Sequence, residues 1–496
     1  KALWQASYHP GPLNGGVGRP DRLLPCENIT GHPGSHGMSS NDPDHHFNTL
    51  DRDLKRFSSV EYGTHLVGRP MVGIGIAVAF IVVAALASTI FFGGTSTSYV
   101  VVAAAAIGAY MAVNIGANDV ANNMGPAVGA NALTMGGAIV IAALCETAGA
   151  LLAGGDVVST ISKGIIDPSS VSDGQVFIWA MMAALISAAL WVNLATWVGA
   201  PVSTTHSVVG GVMGAGIAAA GFAAVNWPNM GKIAASWVIS PLLGGLVAAG
   251  FLALIKHFII YREDKIAAAR TWVPILVGLM GGVFAVYLSI KGLKKIISID
   301  LPTALLIGVI SGAVIYVIAS PLIRRQSEGL ENRNKSLKIL FGMPLVLSAA
   351  LLSFAHGAND VANAVGPLAA IVHAEQFGEF AGKVNIPLWV MVIGAMGISF
   401  GLVLFGPKLI KMVGSQVTKL NPMRAYCVAL SAAITVIIAS WLGLPVSSTH
   451  IAVGGVFGVG FFREWDAERR LRKSKAARPA ATHVAPEERR RRKLVR

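Results

Sequence analysis

Long apolar runs alternate with short polar segments between residues 71 and 462, a pattern that predicts membrane-spanning helices. Each run approaches the roughly 20 residues that a helix needs to cross a hydrocarbon core about 30 Å thick. We therefore predict an all-α integral membrane protein with about twelve apolar spans. The predicted spans are 71–93, 98–118, 131–154, 174–198, 203–222, 231–258, 272–290, 302–323, 338–356, 386–406, 424–442 and 447–462.

Residues 1–70 differ from this region because they are polar, rich in Gly, Pro, His and Asp, and without helical or strand periodicity. Such a composition is typical of disorder. The chain begins at Lys1 and its first methionine is Met38, so residues 1–37 are candidates for a leader that is not native.

Composition narrows the class of protein. Only 13% of the residues are charged, 54% are hydrophobic, and 56 are glycine. Soluble domains carry about 25% charged residues, whereas glycine is frequent where membrane helices pack closely. An ordinary soluble domain is therefore excluded. The three cysteines, Cys26, Cys145 and Cys427, are widely spaced and predict neither a disulfide framework nor a metal cluster.

The net charge of +14 is concentrated in residues 463–496, which hold 13 basic and 5 acidic side chains. Beside a membrane domain, such a tail is more typical of the cytoplasmic excess of Lys and Arg than of nucleic-acid binding. We expect a basic cytoplasmic tail, contact with the lipid bilayer, and no nucleic-acid partner.

Loop charges predict the orientation of the spans, because Lys and Arg are enriched in cytoplasmic loops. Neutral or acidic segments at 154–174 and 374–383 fall on the opposite side, where residues 291–300 are a basic exception. The segments predicted to be cytoplasmic are 261–270, 324–338, 408–424 and the tail.

Two phrases occur twice. GANDVANNMGP at 116–126 returns as GANDVANAVGP at 357–367, with nine of eleven positions identical. GAPVSTTHSVVGGVMGAG at 199–216 returns as GLPVSSTHIAVGGVFGVG at 443–460, with twelve of eighteen identical. Apolar helices that resemble each other by chance share Ala, Leu and Val, not polar sequences of this length. The chain therefore contains two copies of one unit.

The predicted topology places the two copies in opposite orientations, which is the arrangement of secondary transporters built from inverted repeats and discontinuous helices. We assign 71–270 to the first repeat with its preceding helix, 271–337 to connecting spans and a cytoplasmic loop, and 338–462 to the second repeat. An apolar span at 232–255 follows the first Pro-Val-Ser phrase, whereas the basic tail follows the second. We expect that one closing helix is missing.

The GAND phrases offer oxygen ligands within apolar spans. A carboxylate in a span costs roughly 2.5 to 3.5 kcal/mol on insertion scales, so it needs a partner. Glycine next to these residues predicts an opened helix whose carbonyl and carboxylate oxygens suit Na⁺, or a proton on the carboxylate. Helix capping is the alternative. The candidate cation-coupling residues are Asn118, Asp119, Asn122, Asn359, Asp360 and Asn363.

The Pro-Val-Ser phrases offer hydrogen-bond donors for an anion, in contrast to the oxygen ligands of the GAND phrases. Each places proline and hydroxyl side chains at the start of a glycine-rich helix, where free N–H groups and the helix dipole favour a tetrahedral anion such as phosphate or sulfate. N-capping is the alternative here also. The candidate anion-binding residues are Ser203, Thr204, Thr205, Ser447, Ser448 and Thr449. An anion next to two carboxylates requires cations or protons to accompany it, which predicts symport.

Other polar residues in the spans are candidates for function. Glu146 has no counterpart in the corresponding stretch of the second copy, GAMGIS, and is a candidate proton or cation site. His206 and His450 follow the hydroxyl clusters and are candidate proton relays, with packing as the alternative. His356 corresponds to Ile115 in the first copy and is a weaker candidate.

At these residues the sequence resembles the inorganic phosphate transporter (PiT) family, whose signature is a duplicated GANDVAN-type phrase. The resemblance extends over residues 71–462, and both copies are intact. It implies uptake of inorganic phosphate across the cell membrane, driven by Na⁺ or H⁺. It also implies that Asp119 and Asp360 serve cation coupling and that the Ser/Thr clusters hold phosphate. Glu146 stands where the family tends to carry a transport-linked glutamate.

Several points stay open at this stage. A related sulfate permease would use the same anion chemistry, and an anion channel is a less favoured alternative. No HExxH, GxSxG or nucleophile–base pair indicates an enzyme, so we expect no catalytic residue, bound metal or cofactor. The resemblance leaves open whether phosphate travels as a divalent-metal complex, and a homodimer is one alternative for the oligomeric state.

Overall fold

The computed structural model describes residues 71–92, 99–167, 170–171, 173–292, 299–377, 386–412 and 420–476. The chain divides into two units, 1–66 and 67–496, and all the described residues lie in the second. The predicted leader and the end of the basic tail, residues 477–496, lie outside the described residues.

The described residues form fourteen α-helices, with a single isolated β-bridge between Ile166 and Val225. A π-helical turn over Lys256–Ile260 continues α7. In chain order the helices are α1 (Met71–Phe92), α2 (Tyr99–Gly129), α3 (Met135–Ala153), α4 (Gly155–Lys163), α5 (Gly174–Val198), α6 (Thr204–Ala220), α7 (Trp227–Ile255), α8 (Lys265–Lys291), α9 (Leu301–Gln326), α10 (Asn334–Leu340), α11 (Gly342–Phe377), α12 (Leu388–Met412), α13 (Pro422–Trp441) and α14 (Ser448–Ala476).

Ten of these helices are long and apolar enough to cross a membrane, which confirms the all-α membrane class. The other two predicted spans, 203–222 and 447–462, correspond to α6 and to the first half of α14. Helix α6 has 17 residues, at the lower limit for a crossing, and α14 continues beyond its apolar half into a charged segment. Neither is among the ten helices with the length and hydropathy of a membrane span.

The described parts of the four segments predicted to be cytoplasmic meet at one end of the bundle, which we call the basic end. The Asn332 side chain, between α9 and α10, accepts a hydrogen bond from the Lys265 backbone N–H at the start of α8. One cavity is lined by Lys338, Asn421 and Arg463, which places the other two segments beside them.

Lys291, the first residue of the basic exception at 291–300, lies at the other end. Lys291, the last residue of α8, forms an ion pair with Asp156 in α4. The carboxylate compensates this cation locally, which explains why one basic residue is tolerated on the side that is otherwise neutral or acidic.

Helices α5 and α6 form a hairpin that enters the bundle from the end opposite the basic end. Residues after α6 hydrogen-bond to the loop before α5: Asn226 N–H donates to the Ile165 carbonyl at 2.9 Å, and Asp167 N–H donates to the Ala224 carbonyl at 2.8 Å. Helices α13 and α14 form the equivalent hairpin from the basic end, where Asn421 and Arg463 line one cavity.

Each hairpin turns at a glycine with positive φ. Gly199 ends α5 with φ 78°, and Gly443 ends the α13 segment with φ 68°, a backbone region that side chains with a Cβ rarely adopt. The two Pro-Val-Ser phrases follow these glycines and form the hairpin tips. The tips touch, because the Thr205 hydroxyl donates to the Val446 carbonyl at 3.0 Å.

The repeats are related by inversion. Helix α2 ends at the basic end, where Gly129 lines a cavity with Lys338, and α11 begins there at Gly342. The contacts of the repeats are reciprocal as well. A Cβ on Gly116 of α2 would lie 1.8 Å from the Ile398 carbonyl oxygen in α12, and a Cβ on Gly357 of α11 would lie 2.1 Å from the Glu146 carbonyl oxygen in α3. Glycine thus permits the same backbone approach twice.

One packing contact lacks a counterpart among the described residues. In α14, a Cβ on Gly454 or Gly458 would come within 2.2 Å or 2.0 Å of backbone oxygens in α7. The corresponding residues of α6, Gly210 and Gly214, have no atom within 4 Å of such a Cβ. The prediction of a further helix after α14 concerns residues outside the structure and stays a prediction.

Candidate functional site

Both GAND phrases lie inside continuous helices, so the prediction that glycine opens the chain there is wrong. Helix α2 runs through Asn118–Asn122 to Gly129, and α11 runs through Asn359–Asn363 to Phe377. The structure places the chain breaks at the Pro-Val-Ser phrases instead. Gly116 and Gly357 serve close packing against α12 and α3, which requires the absence of a side chain rather than an unwound backbone.

The two aspartates of the repeats meet at one buried centre. Asp119 and Asp360 are each 1% exposed. The Thr204 hydroxyl, at the tip of the α5–α6 hairpin, lies 2.8 Å from Asp119 Oδ2 and 3.2 Å from Asp360 Oδ2. A hydroxyl carries one proton, so it cannot make a full hydrogen bond to both carboxylates at once. The two aspartates therefore compete for a single donor.

Two asparagine–threonine bonds join the repeats reciprocally. Asn122 Nδ2 in α2 donates to Thr449 Oγ1 at the α13–α14 tip at 2.8 Å. Asn363 Nδ2 in α11 donates to Thr205 Oγ1 at the α5–α6 tip at 3.0 Å. The Thr449 hydroxyl also donates to Asp119 Oδ1 at 3.1 Å. Each hairpin tip is thus bonded to the GAND helix of the opposite repeat.

Asn118 and Asn359, two of the predicted cation-coupling residues, form hydrogen bonds with the hairpins. The Asn118 side chain donates to Thr196 Oγ1 and the Ala200 carbonyl, and its oxygen accepts from Val202 N–H at 3.1 Å. The Asn359 amide contacts the Ser440 hydroxyl, the equivalent of Thr196, at 3.1 Å. Both amides bond the broken end of the adjacent hairpin in their own repeat. These bonds hold the break in the chain, and the part of both residues in cation coupling stays a prediction.

The six hydroxyl candidates divide into two groups. Ser203 and Ser447 accept hydrogen bonds from the N–H groups of His206 and His450, at 3.2 and 3.3 Å, as N-caps of α6 and α14. The capping alternative therefore describes these two serines. Among the remaining hydroxyls, those of Thr204 and Thr449 donate to aspartates and that of Thr205 donates to the opposite tip. Ser448 Oγ is buried without a hydrogen-bond partner among the described residues. This second group comprises Thr204, Thr205, Ser448 and Thr449.

A second cluster at the centre breaks the symmetry of the repeats. His356 is fully buried in α11, with Nε2 2.9 Å from Asp360 Oδ2 and 3.7 Å from Asp119 Oδ2. Its Nδ1 lies 3.2 Å from Oε1 of Glu146, and that oxygen accepts a hydrogen bond from Asn123 at 2.9 Å. Glu146 thus reaches the aspartate pair through His356, a connection that the sequence analysis did not predict.

The polar differences between the repeats could have revealed this cluster. Asn123 corresponds to Ala364 in the second GAND phrase, His356 corresponds to Ile115 in the first, and Glu146 has no acidic counterpart. Each difference puts a polar side chain in an apolar span, where it requires a partner. Three such residues without equivalents in the other repeat can satisfy one another's hydrogen-bonding and charge requirements, a signal that His356 taken alone does not give.

His206 and His450 lie near the centre but contact each other. Their ring centroids are 4.8 Å apart, and the His206 ring meets the edge of Trp237 at 3.9 Å. No described hydrogen bond joins either imidazole to Asp119 or Asp360. The packing alternative accounts for His206, and the relay role stays a prediction.

The donor set at the centre suits a cation. Ligand atoms of Asp119, His356 and Asp360 lie within 4.8 Å of one another, and all three residues are buried. The Asp119 and Asp360 carboxylate oxygens are hard ligands of the kind that Na⁺ prefers. Asn363 Oδ1 is buried there without a hydrogen-bond partner among the described residues, so a further oxygen is available.

Comparison with known proteins decides the family. The model of the phosphate transporter family matches residues 115–485. The chain belongs to the phosphate transporter family. A protein from Helicobacter pylori named as a phosphate permease is 52% identical over 415 residues, which are 83% of this chain and 78% of that protein. The resemblance to phosphate transporters inferred from the two signature phrases is confirmed.

Two further members extend the comparison. The Arabidopsis thaliana protein named inorganic phosphate transporter 2-1, chloroplastic, is 39% identical over 392 residues, covering 73% of this chain and 66% of that protein. A solved structure titled the sodium-dependent phosphate transporter is 37% identical, with a TM-score of 0.70 over 74% of this chain and 90% of that chain. This member of the phosphate transporter family is therefore a multi-pass membrane transporter, not an enzyme.

Proposed function

We propose that this phosphate transporter family member imports inorganic phosphate across the cell membrane by symport with Na⁺, with H⁺ as the alternative coupling ion. The observation that carries the proposal is the meeting of Asp119 and Asp360 around the single hydroxyl of Thr204. The solved relative whose title names sodium dependence favours Na⁺ over H⁺.

Charge balance at the centre supports coupling. Asp119, Asp360 and Glu146 are each 1% exposed, and among the described residues the side chain that can carry a positive charge against them is His356. With three ionised carboxyls and one imidazolium the centre keeps a negative excess, which is costly at low dielectric. Entry of a phosphate anion raises that cost further. Cations must therefore enter with phosphate, or protons must neutralise the carboxylates.

The hydrogen bonds of the threonines explain how cation binding prepares the phosphate site. Thr204 and Thr449 point their hydroxyls at the aspartates, so these donors are engaged. A cation on the carboxylates competes with the hydroxyls for the same oxygens. Released hydroxyls, together with Ser448 and the N–H groups at the starts of α6 and α14, then bind the phosphate oxygens.

Two hairpins that enter from opposite ends support alternating access. The tips of α5–α6 and α13–α14 meet at the centre, and each is bonded to the other repeat through Asn122 or Asn363. Withdrawal of one tip opens the centre toward the basic end, and withdrawal of the other opens it toward the opposite end. Near-equivalent packings of inverted repeats supply the two states.

The test is phosphate uptake by purified protein in liposomes, with an imposed Na⁺ gradient in one set and a pH gradient in another. Wild type is expected to accumulate phosphate under the Na⁺ gradient. Asp119→Asn and Asp360→Asn are expected to fall to the level of liposomes without protein. Asp156→Asn is the matched control, because this carboxylate pairs with Lys291 away from the centre.

Uptake that ignores both gradients, with normal transport by both centre variants, would contradict the proposal and favour an anion channel. Gradient-driven uptake that sulfate suppresses as strongly as unlabelled phosphate would favour the general oxyanion permease. Accumulation under the pH gradient alone would assign H⁺ as the coupling ion.

A further inference from the structure

We propose that a cavity at the basic end of the bundle binds the headgroup of an anionic phospholipid. The cavity has a volume of about 1130 Å³ and is lined by residues of α7, α10, α13 and α14. It lies at the far ends of α7 and α14 from the hairpin tips, and it contains none of the centre residues. The inference is independent of the ion that drives transport.

The cavity carries a positive excess. Four of its basic residues have no carboxylate within 4 Å among the described residues. A fifth, Lys256, is compensated by Asp466 at 2.7 Å. Of the two glutamates that line the cavity, Glu468 pairs with Arg472 at 3.6 Å. The four unpaired cations are Lys335, Lys338, Arg424 and Arg463.

These cations come from separate parts of the chain. Lys335 and Lys338 belong to α10, Arg424 to the first turn of α13, and Arg463 to the middle of α14. Arg424 lies within electrostatic range of Arg463, so folding brings like charges together against their mutual repulsion. An anion between them removes that cost. Guanidinium groups suit a phosphate group because they donate two parallel hydrogen bonds.

The other wall of the cavity is apolar and open. Phe457 and Phe461 of α14 are 59% and 71% exposed, and Val456 and Leu252 line the cavity beside them. A free phosphate ion has no apolar surface to bury against such a wall. A phospholipid can place its acyl chains along the wall and its phosphodiester among the cations. Basic pockets between helices at the cytoplasmic face are typical sites for anionic headgroups.

The position of the cavity would also allow a bound lipid to influence transport through helix α14. Helix α14 carries Ser448 and Thr449 at its first turn and Arg463 four turns later on the same continuous helix. A headgroup that bridges Arg463 to Arg424 and α10 fixes the base of the hairpin whose tip contacts Asp119. Anionic lipid is therefore expected to change the transport rate as well as to bind.

The experiment measures lipid retention by purified full-length protein with native mass spectrometry, using phosphatidylglycerol, cardiolipin and phosphatidylcholine as probes. The cavity variant is Arg424→Gln with Arg463→Gln. The matched control is Arg324→Gln with Arg325→Gln, which removes two exposed cations at the same end of the bundle but outside the cavity. If the cavity variant does not fold, Lys335→Gln with Lys338→Gln replaces it.

We expect wild type and control to retain phosphatidylglycerol or cardiolipin at least tenfold better than phosphatidylcholine, and the cavity variant to lose this preference. Equal loss in the control would overturn the proposal and leave a diffuse surface potential as the cause. Displacement of the lipid by millimolar inorganic phosphate, with phosphate retained in its place, would also overturn it and make the cavity a free-phosphate site.

Discussion

The Asn122 amide of the first repeat donates a hydrogen bond to the Thr449 hydroxyl of the second, at 2.8 Å and across 327 residues of chain. Asn363 makes the inverted bond to Thr205 at 3.0 Å. Each GAND helix therefore holds the hairpin tip of the other repeat, and this exchange connects the two halves at the centre.

The reciprocal bonds predict matched effects. Asn122→Ala and Asn363→Ala each leave a buried threonine without its partner, which costs about 1 to 3 kcal/mol. Both variants should lower the initial rate of phosphate uptake in liposomes by about tenfold or more. Asn193→Ala, which removes a bond to Asn114 outside the centre, is the control. A large effect from one asparagine with none from the other would contradict the equivalence of the halves.

The hydroxyl of Thr204 predicts a contrast between two conservative substitutions. Thr204→Val keeps the shape of the side chain but removes the donor to Asp119 and Asp360, so uptake should be lost. Thr204→Ser keeps the hydroxyl and should retain a measurable rate. Both rates are read as a function of Na⁺ concentration. Normal uptake by the valine variant would show that the hydroxyl has no part in coupling.

Ser203 predicts a different outcome from its neighbour, because its hydroxyl caps α6. Ser203→Ala should lower the stability of the protein by about 1 kcal/mol, the usual cost of a lost N-cap. The apparent affinity for phosphate should stay unchanged. The measurements are the thermal unfolding midpoint in detergent and the concentration dependence of uptake. A large loss of phosphate affinity would instead indicate that the Ser203 hydroxyl binds phosphate.

The asymmetric cluster predicts non-additive effects. His356 Nδ1 lies 3.2 Å from Glu146 Oε1, so removing either group takes one of two close polar neighbours from the other in a buried site. His356→Gln and Glu146→Gln should each destabilise the protein, and the double variant should cost less than the sum by about 1 to 3 kcal/mol. Unfolding midpoints of the four proteins complete the cycle. Additive effects would show that the two side chains act separately.

Equivalent glycines of the repeats predict opposite effects of one substitution. Gly454→Ala puts a Cβ 2.2 Å from the Pro241 carbonyl oxygen, so α14 must move away from α7 at a cost of about 1 to 3 kcal/mol. Gly210→Ala meets nothing within 4 Å and should be neutral or stabilise α6 by about 0.5 to 1 kcal/mol. Unfolding midpoints in detergent separate the two. Equal destabilisation would show that the Gly210 face is also packed.

The repeated phrases identified the polar residues that meet at the centre. They did not identify where the helices break. Both phrases contain glycine beside polar residues, which fits an opened helix as well as a close helix contact. Only the partner surface distinguishes the two, because the carbonyl oxygens of Ile398 and Glu146 occupy the space that side chains on Gly116 and Gly357 would need. The prediction of opened GAND helices failed for this reason.

Hydrophobicity likewise predicted the number of apolar segments but not which of them cross. Helices α6 and α14 begin at the centre of the bundle, where the serine caps and the positive-φ glycines turn the chain. A window of apolar residues has the same mean hydropathy whether its helix crosses the membrane or turns back inside it. The hydrogen bonds between the loops at 165–167 and 224–226 show that α5 and α6 form a hairpin.

The membrane class and the duplication could be read from the apolar runs and the repeated phrases. The acidic, amide and hydroxyl residues of each repeat could also be identified, because a polar group in an apolar span is too costly to occur without a partner. The tertiary structure alone decided which partner each one has. It joins Asn122 to Thr449, His356 to Glu146, and both aspartates to Thr204. These contacts connect segments 85 to 327 residues apart and depend on how two inverted units pack.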